Sequence, residues 1–307
     1  MHGKSGYMLQ LEQIIEQEGT AMTSQTWFIT GTSSGFGRHL TEILLARGDR
    51  VAATARRPQT LADLAAKYGD QLWTAKLDVS DTAQIREVVD AAFTELGRID
   101  VVVSNAGYGL FGAAEELSDE QITHQIATNL TGSIQLARAV IPHLRAQGGG
   151  RIIQLSSQGG QIAFPGLSLY HATKWGIEGF YESVIGEIAP FGIEVTLVEP
   201  GGARTQFGGS SATLAPEIDA YADGPVGQVR HYLARGAGTT IPSGDPVKIA
   251  QAIIDSAAQE PAPKRLLLGS DAYTNVQAAL TGRLASVEAQ RELALSTDAD
   301  DIIAARS

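Results

Sequence analysis

The side chains best suited to chemistry in this sequence are a tyrosine and a lysine, Tyr170 and Lys174, four positions apart. In a helix this spacing places both side chains on one face, so the Lys174 ammonium can lie near the Tyr170 phenol. A nearby cation stabilises the ionised phenol and lowers its pKa from the ordinary value of about 10. The pair therefore predicts a general acid that works near neutral pH.

The segment before this pair indicates where the two side chains lie in a fold. Residues 151–155 are apolar enough for a buried strand, and Ser156 and Ser157 follow directly. Parallel sheets hold ligand-binding groups at the carboxyl ends of their strands. Two residues that only share a helix face would show the same spacing as Tyr170 and Lys174, and the strand with its two serines favours the catalytic interpretation.

A second candidate site is a glycine-rich turn near the start of the chain. A strand is predicted over residues 26–30, and the helix that follows the turn ends at Gly48. Unpaired backbone N–H groups and the helix dipole point at one spot in such a turn, and glycines let a pyrophosphate approach the backbone. We therefore expect the turn to bind the phosphates of a dinucleotide. Its candidate contacts are Gly31, Ser33, Ser34, Gly35, Phe36 and Gly37.

The second predicted strand, residues 50–55, ends in Arg56 and Arg57. At this position dinucleotide-binding folds use a carboxylate to bind a free ribose 2′-hydroxyl, or an arginine to bind a 2′-phosphate. No Asp or Glu stands at the tip of this strand. The sequence therefore predicts Arg56 as the phosphate ligand, with Arg57 and Arg38 as helpers, and NADP(H) as the preferred cofactor over NAD(H).

Strands and helices alternate along the rest of the chain. Further strands are predicted to end at 77–79 and to span 99–103, 193–198 and 265–268. One helix is predicted to begin at a Ser80 cap, and a long helix is predicted to run from a capping box of Ser118 and Gln121 to Leu144. Another begins before Tyr170, one begins at residue 247, and the last spans residues 276–295. Apolar strands that alternate with helices form a parallel sheet covered on both faces. The predicted fold class is α/β: a Rossmann-type, doubly wound, seven-stranded parallel sheet with helices on both faces, in a single domain.

The single domain is predicted to span residues 25–307. Residues 1–24 are predicted to be a mobile N-terminal extension, because glycines loosely frame a short amphipathic segment. Residues 206–244 are rich in Gly, Ser and Pro, and segments of that length between core elements are usually lids or binding loops. We expect them to form the substrate loop.

Asn129 falls in the middle of the helix that begins at Ser118. Asparagine is disfavoured there because its side chain competes for the backbone hydrogen bonds of the helix. It is either a solvent-facing residue or a deliberate interruption of the helix.

Composition excludes several classes of function. A formal net charge of −11 argues against nucleic acid and anionic membrane surfaces as partners. The absence of cysteine excludes disulfides and a cysteine nucleophile, and the 6 histidines lack metal-ligand spacing, so no metal site is predicted. No apolar run reaches the roughly 18 residues of a membrane helix, and the N-terminus lacks the apolar core of a signal peptide. We expect a cytoplasmic protein.

Together these motifs resemble the classical short-chain dehydrogenase/reductase family over nearly all of residues 25–307. Thr30-Gly31-x-x-x-Gly35-x-Gly37 matches the cofactor turn of the family. A catalytic tetrad is implied at Asn129, Ser157, Tyr170 and Lys174. Further cofactor contacts are implied at Asp78 and Val79, at Asn105, Ala106 and Gly107, at Pro200, Gly201, Ala203 and Thr205, and at Tyr170 and Lys174. Two positions depart from the usual pattern, Ser104 before Asn105 and Ala203 where Val or Ile is common.

The resemblance implies hydride transfer between NADP(H) and a small-molecule carbonyl or alcohol. Ser157 and Tyr170 would donate hydrogen bonds to the carbonyl oxygen, Lys174 would hold the nicotinamide ribose, and Asn129 would keep a water that relays protons. The tail and residues 164–166 resemble members that act on hydroxysteroids, retinoids and other bulky ketones. The family also implies a homodimer or homotetramer.

Other functions remain open at this point. A 3-oxoacyl-acyl-carrier-protein reductase would need a basic rim, whereas residues 206–244 offer only Arg230 and Arg235. A catalytically silent NADP-sensing protein on the same fold would show a damaged tetrad, and here the tetrad is complete. A purely structural protein gives no reason for so many polar groups at the ends of strands.

Overall fold

Seven parallel strands form the central sheet of the computed structural model, which describes residues 24–208, 212–234, 242–299 and 301. In sheet order the strands are β3 (Leu72–Lys76), β2 (Arg50–Ala55), β1 (Thr26–Thr30), β4 (Val101–Ser104), β6 (Gly150–Leu155), β7 (Ile193–Pro200) and β9 (Arg265–Leu268). All neighbouring pairs are parallel. The strand order reverses beside β1, as in doubly wound dinucleotide-binding folds, so the predicted fold class is confirmed.

Helices cover both faces of this sheet. The α-helices of the described residues are, in chain order, α1 (Gly35–Arg47), α2 (Ala62–Tyr68), α3 (Thr82–Leu96), α4 (Asp119–Ile126), α5 (Gly132–Ala146), α6 (Ser168–Ile188), α7 (Pro225–Ala234), α8 (Pro246–Ser256), α9 (Ser270–Glu288) and α10 (Arg291–Ser296). One apolar cluster packs α1, α2 and α8 on the sheet, and a second packs α3, α5 and α6 on the opposite face.

The alternation of side chains along β1 shows why both faces need helices. Trp27 and Ile29 belong to the first cluster and Phe28 belongs to the second, and all three are fully buried. Successive side chains of a strand point to opposite faces, so an apolar strand must be covered twice. The strand therefore requires both helical layers.

Two expectations about the third crossover are wrong. Strand β3 ends at Lys76, so residues 77–79 follow the strand rather than close it. The cap of α3 is Asp81, whose carboxylate accepts hydrogen bonds from the backbone N–H groups of Ala83 and Gln84. Ser80 instead donates to the Asp78 carboxylate, because a serine hydroxyl two residues on is in reach of that side chain.

The long helix predicted from Ser118 is interrupted. Its capping box of Ser118 and Gln121 is confirmed, but a π-helical segment, Ala127–Thr131, separates α4 from α5. Asn129 lies inside this segment and is only 1% exposed, so it is not a solvent-facing residue. Such π segments are frequent at functional sites.

The expected substrate loop at 206–244 contains regular structure in its described part. A short parallel pair joins β5 (Gly109–Phe111) to β8 (Ala212–Leu214), and α7 follows. Arg230 of α7 forms an ion pair of 2.6 Å with the buried Glu116 carboxylate, which also accepts from the backbone N–H groups of Ala113 and Ile218. This buried pair attaches α7 to the body of the domain.

The ends of the chain differ from expectation in two ways. The tail helix begins at Ser270, six residues before the predicted start, and breaks after Glu288 into α9 and α10. The predicted N-terminal extension lies outside the described residues except for Ser24. Within the described ranges, no helix combines the length and the apolar character needed to cross a bilayer.

The packing of α1 on the sheet gives a stability prediction. Leu44 is fully buried on α1, whereas Leu280 on α9 is 49% exposed. Leu44→Ala should lower the free energy of unfolding by about 2–5 kcal/mol, because it removes buried methyl groups and leaves a cavity. Leu280→Ala should change it by less than about 1 kcal/mol in the same denaturant titration. Equal losses in the two variants would contradict this assignment of the core.

Candidate active site

A cleft of about 1490 Å³ lies along the carboxyl ends of the strands. Its walls come from the turns after β1, β2, β4, β6 and β7, from the start of α6, and from α7. The cleft therefore crosses the point where the strand order reverses, which is where open α/β sheets bind ligands. Every predicted cofactor residue except Gly37 lines it, as do Ser157, Tyr170 and Lys174 of the predicted tetrad.

Strand β6 and helix α6 bring three of the tetrad residues to one wall. Ser157 follows the end of β6, and its hydroxyl accepts a hydrogen bond of 3.0 Å from the Gly159 backbone. Tyr170 and Lys174 share one face of α6 and are each only 7% exposed. The Lys174 ammonium donates to the Leu155 carbonyl oxygen at 2.8 Å, which ties the helix to the end of the strand.

The pKa of Tyr170 runs opposite to the sequence prediction. Burial raises the pKa of the phenol to about 12, although its hydrogen bond with Ser157 works in the other direction. The Lys174 ammonium lies 5.7 Å from the centre of the Tyr170 ring and is engaged with Leu155. The prediction of a phenol that ionises near neutrality is therefore wrong for the chain by itself, because the effect of burial on the pKa outweighs that of the hydrogen bond with Ser157. Tyr170 is a protonated hydrogen-bond donor at neutral pH.

Asn129 lies behind the cleft rather than in its wall. Its side-chain oxygen accepts from the Tyr108 backbone N–H at 3.1 Å, and its side-chain nitrogen donates to the Tyr108 carbonyl at 2.9 Å. The same nitrogen lies 3.5 Å from the hydroxyl of Thr173, the neighbour of Lys174. Asn129 thus fixes the segment after β4 against α6.

The glycine-rich turn after β1 is closed by Asn105. The Asn105 side chain donates to the carbonyl oxygens of Thr30 and Gly31 at 2.8 and 3.1 Å. Gly31 has a φ of +72°, and a β-carbon on Gly37 would lie 2.5 Å from the Gly31 carbonyl oxygen. Gly37 therefore supports the turn from behind, which is why it does not reach the cleft.

The same turn fits the phosphates of a dinucleotide. Ser34, the residue before α1, makes no side-chain capping hydrogen bond, and no acidic residue occupies the first turn of that helix. Free backbone N–H groups at a helix start and a turn without side-chain bulk are what an anion requires. The residues present thus suit a nucleotide cofactor.

Arg56 and Arg57 are exposed and line the cleft beyond β2, as expected for a 2′-phosphate site. Arg38 does not line the cleft, because its guanidinium is engaged by Glu42 and Asp63 in ion pairs, so its predicted role as a helper is wrong. Burial works to raise the pKa of the Asp78 carboxyl, but hydrogen bonds from Ser80 and the charge of Arg56 lower it. Asp78 is therefore a charged acceptor near the arginines.

The opposite end of the cleft is aromatic, and sequence reasoning missed most of it. Phe207 packs on Tyr170 with ring centres 5.3 Å apart and on Phe111 at 6.2 Å. Tyr108 donates or accepts a hydrogen bond of 2.8 Å with His124 at the rim. These residues come from separate elements of the chain, such as β5 for Phe111 and α4 for His124, and no periodicity in the sequence relates them.

His171 has the structural role that its place on α6 suggests. The Phe164 backbone N–H donates to its Nε2 at 2.9 Å, so Nδ1 carries the proton and donates to the Gly159 carbonyl at 3.0 Å. Burial lowers the pKa of this imidazole, although its bond to Gly159 opposes the shift. A neutral His171 thus holds the loop between Ser157 and Phe164. Among the residues the structure describes, no group of acidic and histidine side chains is arranged to hold a metal ion.

The comparisons with known proteins decide the family. The family model described as short chain dehydrogenase matches residues 25–213. The chain belongs to the short-chain dehydrogenase family. Oxidoreductase BOA17 of Botryotinia fuckeliana is 38% identical to it over 275 residues, which cover 89% of this chain and 99% of that protein.

Solved members of the short-chain dehydrogenase family share the fold. A short-chain dehydrogenase from Streptomyces avermitilis superposes with a TM-score of 0.83 at 38% identity, covering 90% of this chain and 100% of that one. Serine dehydrogenase complexed with NADP+ gives a TM-score of 0.68 at 27% identity over 79% and 93% of the two chains. A Burkholderia phymatum short chain dehydrogenase/reductase in complex with NAD gives a TM-score of 0.74 at 20% identity, covering 88% of this chain and 96% of that one. At this identity the likeness is one of fold alone. Neighbours of this fold therefore bind either cofactor.

The burial of Lys174 gives a prediction of its titration. Burial lowers the pKa of its ammonium to about 8, although the Glu178 carboxylate opposes the shift. In protein labelled with ¹³C-lysine, one of the 6 lysine Cε signals should titrate near pH 8. That signal should be missing in Lys174→Arg. If no lysine signal titrates near pH 8, the ammonium is not buried as described.

Proposed function

We propose that the protein is an NADP(H)-dependent oxidoreductase that interconverts a carbonyl group and the corresponding alcohol, with Tyr170 as general acid and base. The observation that carries this proposal is the wall formed by Ser157, Tyr170 and Lys174 in the same cleft as the glycine-rich turn after β1. A dinucleotide with its phosphates on that turn would extend toward this wall. Bound NADPH would supply the hydride for carbonyl reduction.

The substrate oxygen would lie between the Ser157 hydroxyl and the Tyr170 phenol. Both groups donate hydrogen bonds to the negative charge that grows on the oxygen, and both are shielded from water, where such bonds are strong. The raised pKa of Tyr170 keeps the phenol protonated, which is the form needed to deliver a proton during reduction. The positive charge of Lys174 would stabilise the phenolate left behind.

In the oxidation direction the same groups act in reverse, and the phenolate form of Tyr170 must be reached. A cation brought close to the phenol, such as an oxidised nicotinamide, would lower its pKa from the value in the chain alone. Lys174 would also hold the nicotinamide ribose. Asn129, next to Thr173 of α6, would keep the water that relays protons to Lys174.

The proposed preference for NADP(H) rests on Arg56. Its side chain is exposed in the cleft just beyond β2, and no carboxylate stands at that strand end to bind a free 2′-hydroxyl. Arg57 would assist it. Solved neighbours bind NADP+ or NAD, so the choice depends on these residues of this chain.

The substrate proposed is a bulky, largely apolar ketone, aldehyde or secondary alcohol. Phe111, Phe164 and Phe207 line the end of the cleft beside Tyr170, and aromatic walls bind apolar molecules. An apolar substrate site agrees with the resemblance of the tail and residues 164–166 to family members that act on hydroxysteroids or retinoids. A cytoplasmic location and a homodimer or homotetramer are also proposed, the location from the sequence expectation and the assembly from the family resemblance alone.

The alternative of a 3-oxoacyl-acyl-carrier-protein reductase is less well supported. Arg230, one of the two basic residues expected at the rim, is committed to the buried Glu116 carboxylate. Arg235 lies outside the described residues. A catalytically silent NADP-sensing protein would not need the protonated phenol and the serine hydroxyl in contact.

The role of Tyr170 gives a direct kinetic prediction. Tyr170→Phe should lower the turnover of carbonyl substrates by about 10²–10⁴-fold, the usual contribution of a general acid. NADPH should still bind, because the phenyl ring and Lys174 remain. Turnover is followed by the absorbance of NADPH with a panel of ketones and aldehydes. Tyr68→Phe, on α2 and outside the cleft, is the matched control and should keep full activity. A turnover in Tyr170→Phe like that of the wild type would contradict the assignment of Tyr170 as the general acid.

The role of Arg56 gives a prediction of cofactor choice. Arg56→Ala should reduce kcat/KM for NADPH by about 10–100-fold, because it removes a charged hydrogen bond to the 2′-phosphate, and should leave kcat/KM for NADH nearly unchanged. Steady-state kinetics with both cofactors measure this. Arg138→Ala, an exposed arginine of α5, should change neither value. A wild-type enzyme that works as well or better with NADH would overturn the preference.

A further inference from the structure

The first turn of α9 carries a carboxylate that contacts the loop after β7. The Gly202 backbone N–H donates a hydrogen bond of 2.7 Å to Oδ2 of Asp271. The Gly201 N–H donates to the Leu268 carbonyl, two residues before α9 begins, at 2.8 Å. The end of β9 therefore holds Gly201 and the start of α9 holds Gly202, and both glycines belong to the cleft wall expected to contact the nicotinamide.

The close approach of Asp271 explains why this loop needs glycine. A β-carbon on Gly201 would overlap the Asp271 carboxylate. Oδ1 of Asp271 is buried and has no hydrogen-bond donor among the described residues. A carboxylate at a helix N-terminus is stabilised by the helix dipole, so it tolerates this position better than an unpaired acceptor elsewhere. The loop and the carboxylate are thus fitted to each other.

The same helix contacts the turn that follows the catalytic serine. The side-chain nitrogen of Gln158 lies 3.4 Å from Oδ2 of Asp271, and Asn275 donates to the side-chain oxygen of Gln158 at 3.1 Å. Gln158 follows Ser157 directly and lines the cleft. Asp271 is therefore bonded at once to the loop after β7 and to the turn after β6.

We propose that Asp271 is a positioning residue that fixes the nicotinamide-side loop, Gly201 and Gly202, relative to Ser157. This inference rests on the proposed function, because it assigns a purpose to the loop only if the loop contacts a nicotinamide. Hydride transfer needs the reacting atoms about 3–3.5 Å apart, and a loose loop on one side would lose that alignment. Asp271 does not touch the cleft itself and acts through Gly202 and Gln158.

The test uses NADPH and its own fluorescence, so no substrate is needed. Titration gives the Kd, and the fluorescence lifetime of the bound cofactor reports how firmly the nicotinamide is held. In Asp271→Ser the side chain is too short to reach Gly202, while serine is well accepted in the first turn of a helix. We expect the bound lifetime to shorten toward that of free NADPH and the Kd to rise by about 2–10-fold. Asp271→Asn keeps an oxygen for the Gly202 N–H and should restore most of the lifetime.

The matched control is Asp49→Ser at the opposite edge of the sheet. Asp49 is also a buried carboxylate that accepts from a backbone N–H, that of Gln25 at 2.8 Å. Its loss should lower thermal stability and leave the lifetime and Kd of bound NADPH unchanged. If Asp271→Ser does not fold, Asp271→Ala is measured in its place.

Three results would count against the inference. A wild-type lifetime in Asp271→Ser, an equal loss in Asp49→Ser, or no rescue by Asp271→Asn would each overturn the positioning role while leaving the proposed function intact. Failure of the wild-type protein to bind NADPH or NADH would instead contradict the proposed function.

Discussion

The hydrogen bond from the Lys174 ammonium to the Leu155 carbonyl is the interaction on which the arrangement of the cleft depends. It joins α6, which carries Tyr170, to the end of β6, which leads to Ser157. A buried ammonium without partners would be costly, and a strand-end carbonyl provides the partner at the position where the sheet opens to the cleft. The serine and the tyrosine consequently meet at one wall, although 13 positions separate them in the chain.

The same burial that brings these groups together sets their protonation. Tyr170 and Lys174 lose solvent together, so the pKa of the phenol rises to about 12 and that of the ammonium falls to about 8. Under the proposed function, the phenol would hold a proton until the substrate oxygen needs it during reduction, and the raised pKa of Tyr170 favours that state. The chain thus provides a protonated phenol that can donate a hydrogen bond. Ionisation of this phenol would depend on a positive charge brought in by a ligand.

The sheet was predictable from the sequence because its strands are short, apolar and separated by helices with clear apolar stripes. The limits of β1, β2 and β9 match their prediction, and the tetrad positions followed from motifs that keep their spacing along the chain. The sequence offered an interruption of the helix at Asn129 as one of two alternatives, but a π segment of 5 residues is too short to change the apolar periodicity that would have revealed it. The direction of the shift in the Tyr170 pKa was also missed, because the burial of the phenol depends on packing from distant segments such as Phe207. Asp271 escaped notice because a single carboxylate at a helix start has no sequence pattern that relates it to Gly202.

A crystal structure of the protein with NADPH would test the central claim most directly. We predict the pyrophosphate on the turn of Gly31 and Gly35, the 2′-phosphate at Arg56, and the nicotinamide ring beside Tyr170 and Ser157, with space for a carbonyl group between the ring and the two hydroxyls. A nicotinamide bound away from Tyr170, or a cleft that takes no dinucleotide at saturating concentration, would contradict it.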